Sequence, residues 1–395
     1  MKDKGYNRRR VEKIQDEMQK QELNALLIFQ PHNSFYISGF NPIIQSTPVI
    51  AIVPAKGEPA LLLACLRFAH AKAHTWIQDI YLYGRPWEGL DPIAPGYLEA
   101  LEKIIGERGW SKGRIGVEKN YLTIGDHDKI RQMIPDAELV DCSPILYKSR
   151  LIKDDQEIEF LRISAAIADR GMEAALEVVR EGATEQEITV RAQQAMNDMW
   201  IQQFPDIEVA GFGAREGSLK NGLWAYCLSG PRWNRFCDCP SNRKIRSGDL
   251  VFVYTGGVCN GYSTENERTV AVGKLADEQK KVYDTVLKAR AMAEKKLSPG
   301  ILCSEVYSAA AEVFTQEGYG ETLPGRVGHG MGLGAHEEPS LAPNVKLPLQ
   351  PGMVTSFEPS MRIGELGGTQ HSDTILITSK GFEYLTTTDR GFLTA

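Results

Sequence analysis

The sequence predicts an α/β (α+β) protein in two domains, one spanning residues 1–150 and the other 151–395. Three observations carry that expectation. Residues 1–150 mix an amphipathic helix with short apolar runs bounded by turn residues. Beyond 151, long stretches with helical spacing give way to strand-like runs at 250–256, 267–273, 353–358 and 373–378, enough for an antiparallel sheet. A chain of 395 residues also exceeds what a single hydrophobic core usually organises.

Each element follows from local pattern. Val11, Ile14 and Met18 recur at helical spacing within residues 8–22, with charges elsewhere. Asn24 to Phe29 reads as a buried strand, and Pro31-His32-Asn33-Ser34 as a turn. Val49–Val53 and Pro59–Leu63 flank Lys56-Gly57 like paired strands, and Arg114–Glu118 supplies another. The long helix opening near 151–158 carries acids in its first turn, where they meet the positive end of the helix dipole. Its Ile158, Leu161, Ala165 and Ala168 share one face. Gly182 closes a helix and Thr184 opens the next, with Glu187 spaced to complete a capping box. A further helix runs from about Asp277 to Lys296, is stopped by Pro299-Gly300, and is followed by one starting at Cys303-Ser304-Glu305.

Composition removes several function classes. A net charge of −6 argues against a nucleic acid or an anionic membrane as partner. No run approaches the ~20 apolar residues of a membrane span, and Met1–Gly5 has no secretory h-region. Seven cysteines, an odd number spread over a long chain, fit free thiols in a reducing cytoplasm.

Chemistry concentrates late in the chain. His329 and His336 bracket a glycine-rich run, which lets backbone approach a ligand closely, and Glu337, Glu338 and Pro339 follow. Imidazoles beside carboxylates suit proton transfer or metal binding. Phe357-Glu358-Pro359 and Gln370-His371-Ser372-Asp373 lie beyond, and Tyr254, Glu265 and Glu267 precede them on strand-like runs. Between Trp224 and Phe236, four aromatic residues lie close to Arg232 and Arg235, so that Trp233 and Arg235 could enclose a small cation or clamp a carboxylate; a packed loop at a dimer interface is the competing interpretation.

That order of motifs resembles the creatinase, prolidase and aminopeptidase P family, also called M24 or pita-bread, over nearly the whole chain. The resemblance implies a creatinase-like N-terminal domain, whose signature matches Phe35–Phe40, and a C-terminal pita-bread domain with a curved antiparallel sheet. The family's metallopeptidases hold two metal ions on five residues, which map here to Tyr254, Glu265, His329, Glu358 and Ser372. Two of the five are unchanged and one keeps its carboxylate, whereas Tyr254 and Ser372 have lost theirs. Tyrosine and serine are poor bridging ligands at neutral pH, so no dinuclear cluster and no cofactor are expected, and a single ion on Glu265, His329 and another group stays open. The chain thereby resembles the family's metal-independent, creatinase-like members.

The reading that follows is a hydrolase cleaving a C–N bond in a small amide- or amidine-type molecule without metal. His329 is the general acid/base, Glu358 orients it, and His336 donates to the substrate oxygen. Glu265, Glu267, Tyr254, Trp233, Arg235 and His371 line the substrate. Cys237, at the position of the family's His-x-x-Pro histidine, is the alternative nucleophile or else a tolerated buried thiol. Two other readings stay open: an Xaa-Pro metallopeptidase with an altered metal site, and an inactive homologue that binds a small molecule or partner. The resemblance also implies a homodimer, in which the first domain, through His32, reaches the other subunit's site.

Overall fold

In a computed structural model, residues 4–43, 46–212 and 221–395 are described. They form two units. One is built on the residues to Arg150, joined by Gly211 and Phe212, and the other on Leu151–Ala210 and Asn221–Ala395.

The first unit opens with α1 (Lys4–Lys20), whose Val11, Ile14 and Met18 are buried as their spacing predicts. β1 (Ala25–Ile28) follows. The residues read as a turn from Pro31 instead begin α2 (Pro31–Ser38). Proline is compatible with a first helical turn because its missing N–H would be unpaired there anyway. The buried Glu118 carboxylate accepts the N–H groups of Phe29 and Gln30 and the Asn33 amide, an anchor that is remote in sequence. Then come β2 (Ile50–Pro54), β3 (Ala60–Ala64), α3 (Phe68–His74), β4 (Asp79–Tyr83), α4 (Tyr97–Glu107), β5 (Arg114–Val117), α5 (Ile124–Met133), β6 (Glu138–Asp141) and α6 (Ser143–Leu151). The six strands form one mixed sheet in the order β4-β3-β2-β1-β5-β6. Leu27, Ile52, Leu62, Ile115 and Val117 pack on Leu101 and Ile104 of α4.

The second unit starts with α7 (Asp155–Leu176), whose capping box pairs Asp154 with Glu157, and α8 (Glu185–Gln203), capped by Thr184 and Glu187. Each cap satisfies N–H groups that the helix cannot, and is worth about 1 kcal/mol. β7 (Trp224–Ser229), β8 (Leu250–Cys259) and β9 (Tyr262–Ala271) form an antiparallel meander. β9 begins five residues before the strand the sequence predicts, which puts Glu265 on a strand. Helices α9 (Asp277–Glu294) and α10 (Cys303–Gln316) follow. The chain returns through β10 (Val354–Phe357), β11 (Ser360–Arg362), β12 (Gly368–Gln370), β13 (Ser372–Thr378), β14 (Gly381–Tyr384) and β15 (Leu393–Thr394). The main sheet runs β10-β13-β9-β8-β7, with β14 on β13 and β15 on β9. The expected antiparallel sheet is therefore present, and β11–β12 forms a separate hairpin.

Register decides which side chains meet. Tyr226 lies opposite Tyr254, Tyr254 opposite Glu267, and Glu267 opposite Ser372. Directly opposed residues share a face, so these four form one row across the sheet, and Glu265 lies two residues along on the same face. Asp373 points to the other face. There Arg268 holds it at 2.8 Å and Arg290 at 2.5 Å, both arginines being buried.

Candidate metal and catalytic site

His329 is delivered by a loop whose glycines are sterically required at two points. A Cβ on Gly330 would run into the Glu338 carbonyl, and one on Gly328 into the Ser356 carbonyl. The loop is tied to β10 by the His329 N–H, which donates to Ser356 Oγ at 3.0 Å. A buried Lys153–Glu337 ion pair of 3.3 Å braces its far side. Glu358 follows β10 directly, and Glu265 comes from β9.

The three groups converge. His329 Nε2 is 3.6 Å from Glu265 Oε2 and 3.5 Å from Glu358 Oε1. His329 Nδ1 lies 3.1 Å from the Gly330 carbonyl. A carbonyl only accepts, so Nδ1 carries the hydrogen and Nε2 presents a lone pair. That lone pair is buried, has no hydrogen-bond partner and faces two carboxylates. Acceptors facing acceptors in a dry site need a cation or a proton among them. Burial lowers the His329 pKa to about 4, with Arg326 pushing the same way, so the ring is neutral at physiological pH. Glu358 is pushed up to about 8 by burial and by Glu265. Burial also raises Glu265, although the Ser372 hydroxyl, 2.7 Å from its Oε1, opposes the shift. Glu267 is raised well above the usual carboxylate range by burial and its two acidic neighbours.

The donor set distinguishes one ion from two. Donors around a four-coordinate divalent ion at about 2.1 Å lie roughly 3.4 Å apart. The His329–Glu265 and His329–Glu358 separations are close to that, and these three residues can present ligand atoms within 4.8 Å of one another. They fit a single ion. The further ligands of a dinuclear site do not fit. Tyr254 is buried, its ring stacks on Tyr226 at 4.9 Å, and burial keeps its phenol protonated. The Ser372 hydroxyl is committed as a donor to Glu265. Asp373 is consumed by arginines on the opposite face.

The other sequence-derived positions divide. Tyr254 and Glu267 belong to the site row, and the His336 ring lies 4.2 Å from that of His329. The Cys237 thiol is exposed rather than buried, and lies close enough to Tyr226, Tyr254 and Glu267 to act on them electrostatically. Three expected substrate contacts fall elsewhere. Trp233 is a core residue packed on Phe236 and Phe252. Arg235 is exposed, 3.7 Å from Asp238. His371 is fully buried with Nε2 2.8 Å from Tyr283 Oη, because its neighbour Ser372 takes the site face.

Sequence reasoning missed Gln370, Arg326 and Ser356. The Gln370 amide donates to both Glu267 and Glu358, the latter at 3.2 Å. Arg326 Nε lies 3.4 Å from Glu358 Oε1. Together with Phe236, Ser340, Ser360 and Arg362, Arg326, Gln370 and Glu358 line an open cleft of about 490 Å³.

Comparison with known proteins places the chain in a lineage. Residues 159–379 match the metallopeptidase family M24, and residues 10–152 match the creatinase/prolidase N-terminal domain. An Xaa-Pro dipeptidase of Pyrococcus horikoshii is 30% identical over 384 residues, covering 96% of this chain and 97% of the relative. A putative dipeptidase, YkvY, of Bacillus subtilis is 27% identical over 380 residues, 95% and 97% of the two chains. The crystal structure of the prolidase from Pyrococcus horikoshii OT3 superposes with a TM-score of 0.80 at 26% identity, covering 98% of this chain and all of that one. The chain is a hydrolase acting on C–N bonds. It belongs to the metallopeptidase family M24. The expected closeness to metal-independent creatinases needs correcting, because these relatives are dipeptidases, and metal independence loses that support. No helix among the described residues is long and apolar enough to cross a membrane.

Proposed function

We propose that this chain is a peptidase of Xaa-Pro dipeptides whose metal centre is reduced from two ions to one, held by Glu265, His329 and Glu358. One observation carries the reading: the unpartnered His329 Nε2 lone pair lies between two carboxylates at separations suited to a shared divalent ion. The Xaa-Pro dipeptidases among the relatives supply the substrate class.

When bound, such an ion would polarise the scissile carbonyl and acidify water. The protein's own groups do the rest. Gly330 fixes the His329 tautomer. Gln370 spans Glu267 and Glu358 and sets their spacing. Glu267 holds the polar end of the substrate, and His336 donates to its oxygen. The working assembly is proposed to be a homodimer acting on a small molecule.

A second reading is favoured by the Glu358 shift. A proton on this carboxyl also relieves the facing acceptors, and then the site works without metal on a small amide or amidine, with His329 as base and Cys237 as the alternative nucleophile. Assays of Xaa-Pro dipeptides with manganese, cobalt or zinc, and with chelator, separate the two. The first reading expects turnover that chelator abolishes and added ion restores. Cleavage of a small amide or amidine in chelator, with no Xaa-Pro turnover under any ion, would overturn it in favour of the second.

A further inference from the structure

Arg362 stands out among the groups lining the cleft. Its guanidinium lies 4.5 Å over the Phe236 ring, and among the described residues it has no acidic partner. Arg326, the other cation of the cleft, is already turned to Glu358. The cleft lining thus carries two guanidiniums and one carboxylate.

The stacking partner is itself fixed. Phe236 packs edge-on against Trp233 at 5.3 Å and lies 5.8 Å from Phe252. Trp233 reaches the β11–β12 hairpin where Gly368 leaves room, since a Cβ there would lie 2.5 Å from the indole. Asn234 donates to the Gly364 carbonyl at the hairpin turn. Arg362 on the hairpin and Phe236 on the preceding loop are therefore held as one wall. Arg362 and Ser360 share a face of β11, two residues apart, or about 7 Å along the strand. A planar guanidinium stacked on a ring keeps its in-plane N–H fork available, which is the geometry that binds a carboxylate.

The geometry points to Arg362, stacked on Phe236, as the specificity residue that binds a carboxylate on the part of the substrate remote from the scissile bond. The inference rests on the Xaa-Pro reading for the identity of that carboxylate, the C-terminal one, but not for the site itself. It also moves the carboxylate clamp that the sequence placed at Trp233 and Arg235. Trp233 supports the wall, and Arg235 lies outside the cleft lining.

The test compares Gly-Pro with its C-terminal amide in the wild type and in Arg362→Met. The substituted side chain is exposed, so the fold should survive. A charge-assisted pair contributes on the order of a tenfold preference or more. The wild type should favour the free acid by about that factor in kcat/KM, and Arg362→Met should erase the preference through KM with kcat little changed. A preference retained in the variant, or absent from the wild type, overturns the proposal. If neither peptide is cleaved, calorimetric binding of L-proline against L-prolinamide reads the same contrast. A preference for the acid that disappears in Arg362→Met then keeps the anion site while the Xaa-Pro reading fails. Failure of both ligands to bind, or equal binding of both, sinks the anion site as well.

Discussion

A single lone pair organises the chemistry at the scale of the residue. His329 is held neutral by burial, with its hydrogen turned to Gly330 and its free nitrogen toward Glu265 and Glu358. His329→Ala should lower turnover at least about 10²-fold and remove the bound ion; near-normal rates with the ion retained would contradict the assignment. Glu358 makes a prediction about stability in the metal-free protein. Its folded pKa of about 8 lies above its unfolded value near 4.5, so the folded state holds the extra proton between those pH values. Stability should therefore fall as pH rises across that window, with a slope of up to about 1.4 kcal/mol per pH unit. Glu358→Gln should flatten the slope, as read from urea midpoints at pH 6 and pH 8; an unchanged slope would contradict the assignment. Tyr254→Asp offers a complementary check. It would leave a hole beside Tyr226 and add an unpaired carboxylate next to Glu265 and Glu267, so thermal melts of the metal-free variant should fall well below wild type. His329, Glu358 and Glu265 could be read from the sequence because each sits in a short motif. Gln370, Arg326 and Ser356 could not, because their roles arise from which strands pair and in which register.

Register also explains most of the differences at the scale of the element. Ser372 and Asp373 are neighbours in sequence and opposites in function, since alternation sends one to the site and the other to a buried arginine cluster. That cluster braces the strands from behind. Arg268 donates to the Glu267 and Ser372 carbonyls, and Arg290 to those of Phe357 and His371. Asp373→Asn removes the carboxylate that pairs directly with two buried guanidiniums. It should cost about 3–5 kcal/mol by chemical denaturation, and a loss under 1 kcal/mol would show that the carbonyls suffice. The helices were the most legible elements, because capping pairs such as Thr184 with Glu187 are local. β7 was not, since its Trp-Ala-Tyr run reads equally as a packed loop until β8 supplies its partner. The helix α2 at Pro31 was hidden for a related reason: its anchor, Glu118, is remote in the chain.

For the whole molecule, the motif order was enough to anticipate the two matched regions and the antiparallel sheet. It pointed to creatinases rather than to the dipeptidases that the chain resembles, because the residues at Tyr254 and Ser372 look alike whether a site holds one ion or none. On the proposed reading, the residues present leave donors for one divalent ion and not for two. Elemental analysis of the purified protein after saturation with manganese or zinc and removal of excess ion tests it most directly. One ion per chain is expected, released by His329→Ala. Two ions per chain would contradict it.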